Sequence, residues 1–204
     1  MISVDWIGFI VASVVVVLAP GPGSVFVAKT AATAHVRAGL LAMLGIMAGD
    51  ACLIVLSLLG VSALFLAHPP LFHVIRLAGA GYLIFLGLQF VFSRGKKKSD
   101  SEQGDSLPFR RAVAITLLNP KAVFFFMAFF PVFIESAEDG LVVPYAAMTL
   151  VFMSISATYL TFLIHASSTL ALAFQQNGTL QWVARKLCGC VFIGFGLKVA
   201  MVSR

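Results

Sequence analysis

Leu117-Leu118-Asn119-Pro120-Lys121-Ala122 places an amide, an imide nitrogen and an ammonium inside an apolar run from Ala112 to Ile134. A run of this length predicts a membrane-spanning helix. A lysine near the middle of such a span costs roughly 2.5–3.5 kcal/mol on insertion scales. Because Pro120 cannot donate to the carbonyl of Thr116, we expect the helix to break at the depth of the charge. A bare carbonyl, a new helix start and a buried cation at one depth indicate a binding site.

The composition is that of an integral membrane protein. Hydrophobic residues make up 60% of the 204 positions, only 11% are charged, and the mean hydropathy is +1.02. These values exclude a soluble globule with a polar surface. The net charge of +6 indicates orientation in the bilayer rather than nucleic-acid binding. The cysteines lie in apolar runs without disulfide or zinc spacing, so we expect no metal and no cofactor.

Six apolar runs predict six transmembrane helices. They cover approximately residues 6–28, 39–67, 71–92, 112–134, 141–174 and 182–202. The loops after the first, third and fifth runs hold most of the lysines and arginines. The positive-inside rule therefore predicts that these loops are cytoplasmic and that both termini lie on the outer side.

A central segment from Arg94 to Leu107, rich in serine, glycine and charge, divides the chain into two halves of three runs each. It predicts a cytoplasmic linker within a single transporter domain. Pro20 and Pro120 occupy like positions in the two halves, as do Gly87 and Gly196. Because each half has an odd number of spans, the repeats must be inverted. The expected boundaries are about 1–93 for the first repeat, 94–108 for the linker and 109–204 for the second repeat.

Pro20-Gly21-Pro22-Gly23 interrupts the first run as Pro120 interrupts the fourth. The prolines leave the carbonyls of Val16 and Leu18 without helical donors, and the glycines let the backbone approach a ligand. Helix N-termini that restart after the two breaks suit a carboxylate. The free carbonyls, including that of Thr116, suit an ammonium. The two breaks therefore predict a midplane site for a zwitterion such as an amino acid, with simple proline kinks as the alternative.

Asp50 is the only acidic residue deep within a predicted span. Helix rise places it about 20 Å from cytoplasmic Arg37, and Lys121 about 15 Å from Arg111, so both lie at middle depth. They are either a structural ion pair or a coupled site. In the second case Asp50 exchanges protons, and Lys121 tunes its protonation or contacts a substrate carboxylate. Both alternatives stay open.

Other features of the spans are less specific. Gly45 and Gly49 predict close helix packing rather than ligand contact. The phenylalanines between Phe124 and Phe133 predict lipid contact and packing. The fifth run has a polar side that either lines a path or forms interhelical hydrogen bonds. Its members are Ser154, Ser156, Thr158, Tyr159 and His165.

Four segments together resemble the LysE/RhtB family of bacterial amino-acid exporters, over essentially the full length. They are Pro20-Gly21-Pro22, Leu44 to Asp50, Arg76 to Gly87, and Leu118 to Ala122. The last two look most like the leucine-efflux and homoserine/threonine branch. The resemblance implies an inner-membrane efflux carrier for amino acids that is driven by proton antiport.

Residue by residue, the resemblance implies a proton-coupling role for Asp50 and a substrate-binding role for a second set. That set is Pro20, Gly21, Pro22, Gly49, Asn119, Pro120 and Lys121. Gly23 and Thr116 join it from the backbone argument above. At Gly23 some family members have Asn, which is a departure from their pattern.

The sequence thus predicts an all-α integral membrane protein of six transmembrane helices, arranged as two inverted three-helix repeats, with helices 1 and 4 broken. We expect proton-coupled alternating access in the bacterial inner membrane. The absence of a spare buried carboxylate favours neutral amino acids such as leucine, threonine or homoserine. The expected partners are the amino acid, protons and lipid, with a homodimer allowed. The alternative, a metal or small-ion exporter, lacks a Cys, His, Asp and Glu cluster, and a membrane enzyme lacks a nucleophile and base pair.

Overall fold

A computed structural model describes residues 4–19, 21–67, 107–134 and 140–166, together with scattered positions between 77 and 92 and between 179 and 201. Pro20, the central linker up to residue 106 and most of the third and sixth predicted spans lie outside the described residues. Within the described part, regular structure is helical apart from one antiparallel bridge between Val4 and Ile134. The prediction of an all-α membrane protein is confirmed.

The continuous segments form six α-helices in chain order. These are α1 (Trp6–Leu18), α2 (Pro22–Thr33), α3 (Val36–Ala67), α4 (Pro108–Leu117), α5 (Pro120–Phe124) and α6 (Val142–His165). The α5 helix continues into a π-helical turn, Phe125–Phe129, and a 3-10 turn, Phe130–Phe133. The structure therefore divides the first and fourth predicted spans into two helical pieces each.

Four spans can be assigned in the described part of the chain. Val36–Gly60 of α3 and the whole of α6 are long and apolar enough to cross a membrane unaided. The α1 and α2 helices form a broken span bent by 52°, and Pro108–Leu117 with Lys121–Phe133 form another bent by 64°. The predicted breaks in helices 1 and 4 are thus confirmed.

Proline begins three of the described helices, including both that restart after a break within a span. Pro22, Pro108 and Pro120 lie in the first turn of α2, α4 and α5. At this position the missing N–H removes no helical hydrogen bond, and the fixed φ of proline suits the helix. Asn119 stabilises the start of α5, because its side chain accepts a 3.1 Å hydrogen bond from the backbone N–H of Lys121. In the fourth span, the residues that interrupt the helix therefore also start the next piece.

Glycines allow α3 to pack closely against its neighbours α2 and α4. A methyl group built on Gly49 would lie 2.7 Å from Cβ of Thr116, and one built on Gly45 would lie 2.7 Å from Cβ of Ala112. Distances this short exclude any side chain without a backbone shift. The packing role predicted for these two glycines accounts for their contacts.

Gly87 and Gly189 make a reciprocal contact between the two halves of the chain. A Cβ on either glycine would lie 2.7 Å from the carbonyl oxygen of the other. Each glycine also faces the residue four positions after the other, so that Gly87 lies against Ile193 and Gly189 lies against Val91. Such reciprocity is what a two-fold axis between related helices produces. The inverted repeats, and the match of Gly87 with Gly196 within them, stay a prediction.

A buried aromatic cluster fills the bundle between α1, α6 and the turns after α5. Phe126 lies 5.5 Å from Phe130 and 5.0 Å from Phe152, ring centre to ring centre, in edge-to-face geometry. Phe9 packs against Phe130 and Phe133 in the same way. The phenylalanines at 125, 126, 130 and 133 all belong to this core. Their role is packing, and the lipid contact also expected for this run does not apply to them.

Candidate functional site

A cavity of about 80 Å³ lies between the two broken spans. A single water needs about 10–15 Å³ of such space, so the cavity has room for several waters or the polar head of a small ligand. Its lining includes six of the residues predicted from the sequence. They are Gly21, Gly23, Asp50, Thr116, Asn119 and Lys121.

The remaining predicted residues lie around this cavity or outside the described chain. Pro22 and Pro120 begin the two helices that restart beside it. Gly49 lies against Thr116 and acts through packing in this conformation. Pro20 is not among the described residues, so its predicted role stays a prediction.

Lys121 connects the two breaks. Its ammonium donates hydrogen bonds of 2.9 Å to the carbonyl oxygens of Val16 and Ala19 at the C-terminus of α1. Val16 is the residue whose helical donor would have been the nitrogen of Pro20, so the lysine replaces the missing donor. A cation at the C-terminal end of a helix is also favoured by the helix dipole. The carbonyl of Val16 is therefore occupied from within the protein and is not held free for a ligand's ammonium, as the sequence argument had expected.

Gly21 provides the space that this arrangement needs. Its φ of −137° and ψ of 170° are extended values that any residue can adopt. A Cβ at this position, however, would lie 3.3 Å from Nζ of Lys121. The glycine thus leaves room for the close approach of the ammonium, and the backbone conformation does not demand it.

Ser24 stabilises the start of α2 at the wall of the cavity. Its hydroxyl accepts a 3.2 Å hydrogen bond from the N–H of Gly21 and donates a 3.1 Å hydrogen bond to the carbonyl of the same residue. The sequence analysis missed Ser24. Its signal was a hydroxyl at the third position of a helix that begins on Pro22, where side chains commonly cap the first turn.

The break in the fourth span satisfies more of its own backbone hydrogen bonds than the sequence led us to expect. The N–H of Asn119 donates a 3.1 Å hydrogen bond to the carbonyl of Thr116. This tight turn supplies the donor that Pro120 lacks. The Thr116 carbonyl was expected to be bare for a ligand and is not, because the chain turns at Leu118 before the proline.

Asp50 and two hydroxyl groups give the cavity the rest of its polar lining. Asp50 on α3 is only 6% exposed and shares the cavity with Lys121. Ser156 and Tyr159 of α6 also line it. Other members of the predicted polar side of this span do not. Ser154 and Thr158 are exposed and donate to carbonyls of their own helix, and His165 is exposed at its end.

The other walls of the cavity are apolar and come from five helical segments. They are formed by Val16, Val17, Ile46, Ala122, Phe125, Phe126, Phe152 and Leu160. A cavity with a few polar groups at the helix breaks and hydrocarbon elsewhere suits a small amphipathic ligand. Among the residues that the structure describes, no group of three or more His, Cys, Asp or Glu could hold a metal ion.

Comparison with known proteins gives a consistent family. The model of the LysE type translocator family matches residues 14–203. An uncharacterized membrane protein of Pseudomonas aeruginosa is 36% identical over 207 aligned positions, which cover 98% of this chain and 96% of that protein.

Two further relatives carry functional names. The leucine efflux protein of Salmonella typhimurium is 32% identical over 199 positions, covering 96% of this chain and 94% of its own length. The leucine efflux protein of Klebsiella pneumoniae is 32% identical over 203 positions, covering 98% and 96%. No solved structure matches this chain.

Proposed function

Because this chain belongs to the family of LysE-type translocators, we propose that it exports amino acids across the bacterial inner membrane by proton-coupled alternating access. The observation that carries the proposal is the cavity between the two broken spans, where a cation, a carboxyl group and the start of α2 meet. Translocators of amino acids bind a zwitterion, and discontinuous helices are a recurrent way to hold one near the midplane.

The substrate carboxylate binds at the start of α2. The first-turn N–H groups of a helix have no intrahelical acceptor, and the helix dipole favours negative charge there. Gly21, Gly23 and Ser24 line the cavity at this point, and the Lys121 ammonium lies beside Gly21. Two sources of positive potential thus act on one place.

The substrate ammonium binds at Asp50. Two carbonyls of the α1 terminus already accept hydrogen bonds from Lys121, so they are poor sites for a second cation in this conformation. Asp50 is the acidic side chain of the cavity lining. A zwitterion between α2 and Asp50 would place its charges on opposite sides of the cavity.

The substrate side chain is neutral and apolar. Val17, Ile46, Phe152 and Leu160 offer it only hydrocarbon, and among the described residues the lining has no second carboxyl group for a lysine or arginine side chain. The relatives named leucine efflux proteins agree with this chemistry. We therefore propose leucine or a similar aliphatic amino acid.

Proton coupling follows if Asp50 binds either the ammonium or a proton but not both. Outside, protonation of Asp50 releases the amino acid. Inside, loss of that proton restores the site for the next one. The two steps couple outward movement of substrate to inward movement of a proton, as alternating access through inverted repeats requires.

The test is flux in proteoliposomes that contain the purified protein. We expect a pH gradient to drive radiolabelled leucine faster than threonine and much faster than lysine, with no flux of divalent metals. Asp50→Asn keeps an oxygen acceptor for the substrate ammonium but loses the negative charge, so we expect weaker leucine binding, measured by the thermal shift, and loss of the response to the gradient. Cys52→Ala, on an exposed side of the same helix, is the matched control. Unaltered gradient-driven transport by Asp50→Asn would remove Asp50 from the mechanism, and metal flux without leucine flux would favour the ion-exporter alternative.

A further inference from the structure

Two buried hydroxyl groups meet a backbone carbonyl on one side of the cavity. Ser57 of α3 donates a 2.7 Å hydrogen bond to the carbonyl oxygen of Phe126. Its oxygen lies 3.2 Å from the hydroxyl oxygen of Tyr145 in α6. Because the one hydrogen of Ser57 goes to Phe126, Tyr145 is the donor of the second bond. Both side chains are buried, at 2% and 1% exposure, so the bonds are made away from solvent.

The carbonyl of Phe126 needs a donor because of a proline. Phe126 lies in the π-helical turn Phe125–Phe129, where a carbonyl pairs with the N–H five residues further on. That residue is Pro131, which has no N–H. Ser57 therefore supplies from another helix the donor that the local sequence lacks. The π turn is held in place by a side chain of α3.

These groups lie between the cavity and the end of the bundle that holds Val4 and Ile134. On α3, Ser57 lies about two turns beyond Asp50 on the same face. On α6, Tyr145 lies about two turns before Phe152, which lines the cavity. Phe126 itself lines the cavity and packs against Phe152. The bonded group thus covers one side of the cavity.

A third hydroxyl is buried on α1, close in sequence to the cavity wall. Ser13 lies about one turn before Val16 and Val17 of the cavity wall and is 0% exposed. Among the described residues its oxygen has no hydrogen-bond partner. Native proteins rarely leave a buried hydroxyl unpaired, and the Ser13 hydroxyl can bond to a polar group that reaches it.

We propose that Ser57 is a positioning residue of a gate on this side of the cavity. Its bond to Phe126 holds the π turn and the Phe126 ring over the cavity. When the gate opens, that bond breaks, and the hydroxyls of Ser13, Ser57 and Tyr145 contact the polar head of the leaving substrate. The inference rests on the proposed function only in treating the cavity as part of a transport route.

The experiment measures access to the cavity from each side of the membrane without substrate. Native cysteines 52, 188 and 190 are replaced by alanine, and Val17→Cys places a thiol in the cavity wall. A membrane-impermeant methanethiosulfonate reagent is applied to right-side-out and to inverted vesicles. We expect Ser57→Ala to raise the labelling rate about fivefold, the equivalent of one lost hydrogen bond, and only from the side of Val4 and Ile134.

Two further variants distinguish a gating role of Ser57 from a merely structural one. Tyr145→Phe keeps the bond to Phe126 and is expected to raise labelling from the same side by a smaller factor. Ser154→Ala removes a hydroxyl of α6 that bonds only to its own helix and is expected to change nothing. A merely structural role for Ser57 would raise labelling from both sides or lower the melting temperature alone, and either result overturns the proposal. If Ser57→Ala does not fold, Tyr145→Phe against Ser154→Ala decides the question in the same way.

Failure of the gate and failure of the proposed function give different results. If side-specific labelling changes but no amino acid is transported, the result supports the gate and contradicts the proposal of amino-acid export. If leucine is exported and labelling is unchanged in both variants, only the gate proposal is contradicted. With both intact, Ser57→Ala should change the maximal rate of leucine export by a larger factor than its KM.

Discussion

Single side chains from distant parts of the chain replace backbone donors that prolines remove. Lys121 donates to Val16, which Pro20 leaves without its helical partner, and Ser57 donates to Phe126, which Pro131 leaves bare. The positions of bare carbonyls follow from the sequence by counting four or five residues back from a proline. The identity of each donor does not, because it depends on how spans far apart in sequence align in depth.

The space beside Gly21 should be necessary for transport. Gly21→Ala is expected to lower the rate of leucine export several-fold, because the new methyl group would lie 3.3 Å from Nζ of Lys121 and push the ammonium a few tenths of an ångström away from its place between the breaks. The backbone at Gly21 accepts alanine without strain, so the effect is steric. Gly60→Ala, where no atom of the described residues lies within 4 Å of the new methyl, is the control. Export by Gly21→Ala at the rate of Gly60→Ala would contradict the assigned position of Lys121.

Lys121 should stabilise the fold as well as support transport. Lys121→Met leaves two buried carbonyls without their charged donor, and hydrogen bonds to charged groups contribute about 1.5–3 kcal/mol each. We expect a lower melting temperature in detergent and loss of export. Lys121→Arg keeps a cationic donor and should recover part of the stability, although its planar head suits the two carbonyls less well. If Lys121→Met has the same melting temperature as the parent protein, the two hydrogen bonds do not contribute to stability.

At the scale of helices, the interruptions were predictable and the local winding was not. Pro22 and Pro120 marked the starts of α2 and α5 correctly because proline is favoured in the first helical turn. The π turn Phe125–Phe129 left no comparable signal before it. Pro131 and the hydroxyl of Ser57 in an otherwise apolar span were the available clues, but joining them required the packing of α3 against the turn. Helix rise predicted one depth for Asp50 and Lys121, and the structure brings both side chains to one cavity.

Close packing of α3 on α4 should depend on Gly49. Gly49→Ala would bring a methyl group within 2.7 Å of Cβ and 2.9 Å of Cγ2 of Thr116, and overpacking of this kind typically costs about 1–3 kcal/mol. We expect a lower melting temperature even in the absence of substrate, with Gly60→Ala again unchanged. If Gly49→Ala keeps its stability but loses leucine binding, the glycine contacts substrate, as the family resemblance implied, and the packing role is secondary.

At the scale of the whole molecule, the first and fourth spans run in opposite directions and meet at both ends. The N–H of Asp5 before α1 donates to the carbonyl of Phe133 at the end of the fourth span. At the other end, the Arg111 guanidinium of α4 lies 5.8 Å from the ring centre of Phe26 in α2. This antiparallel pairing is what inverted repeats predict for their first spans. The side of the membrane that each end faces stays a prediction from the distribution of basic residues.

A cross-link between Val4 and Ile134 tests whether the end near Val4 opens during transport. The two residues form an antiparallel bridge, in which Cα atoms lie about 4.5–5.5 Å apart, within the range of about 4.4–6.8 Å that a disulfide spans. In a protein without native cysteines, the double variant Val4→Cys with Ile134→Cys should therefore form a disulfide readily. Mass spectrometry after treatment with an alkylating reagent would show it, because neither thiol of the oxidised protein is alkylated.

Oxidation should stop leucine export by this pair, and a reductant should restore it, because the bond joins the start of the first span to the end of the fourth beside the proposed gate. Each single cysteine variant should export normally under the same oxidant, which separates the cross-link from damage. If the cross-linked protein exports at the reduced rate, the spans do not part at Val4 and Ile134. The movement that exposes the cavity would then have to occur between other helices. The bond from Ser57 to Phe126 would in that case stabilise a part of the cavity wall that does not move during transport.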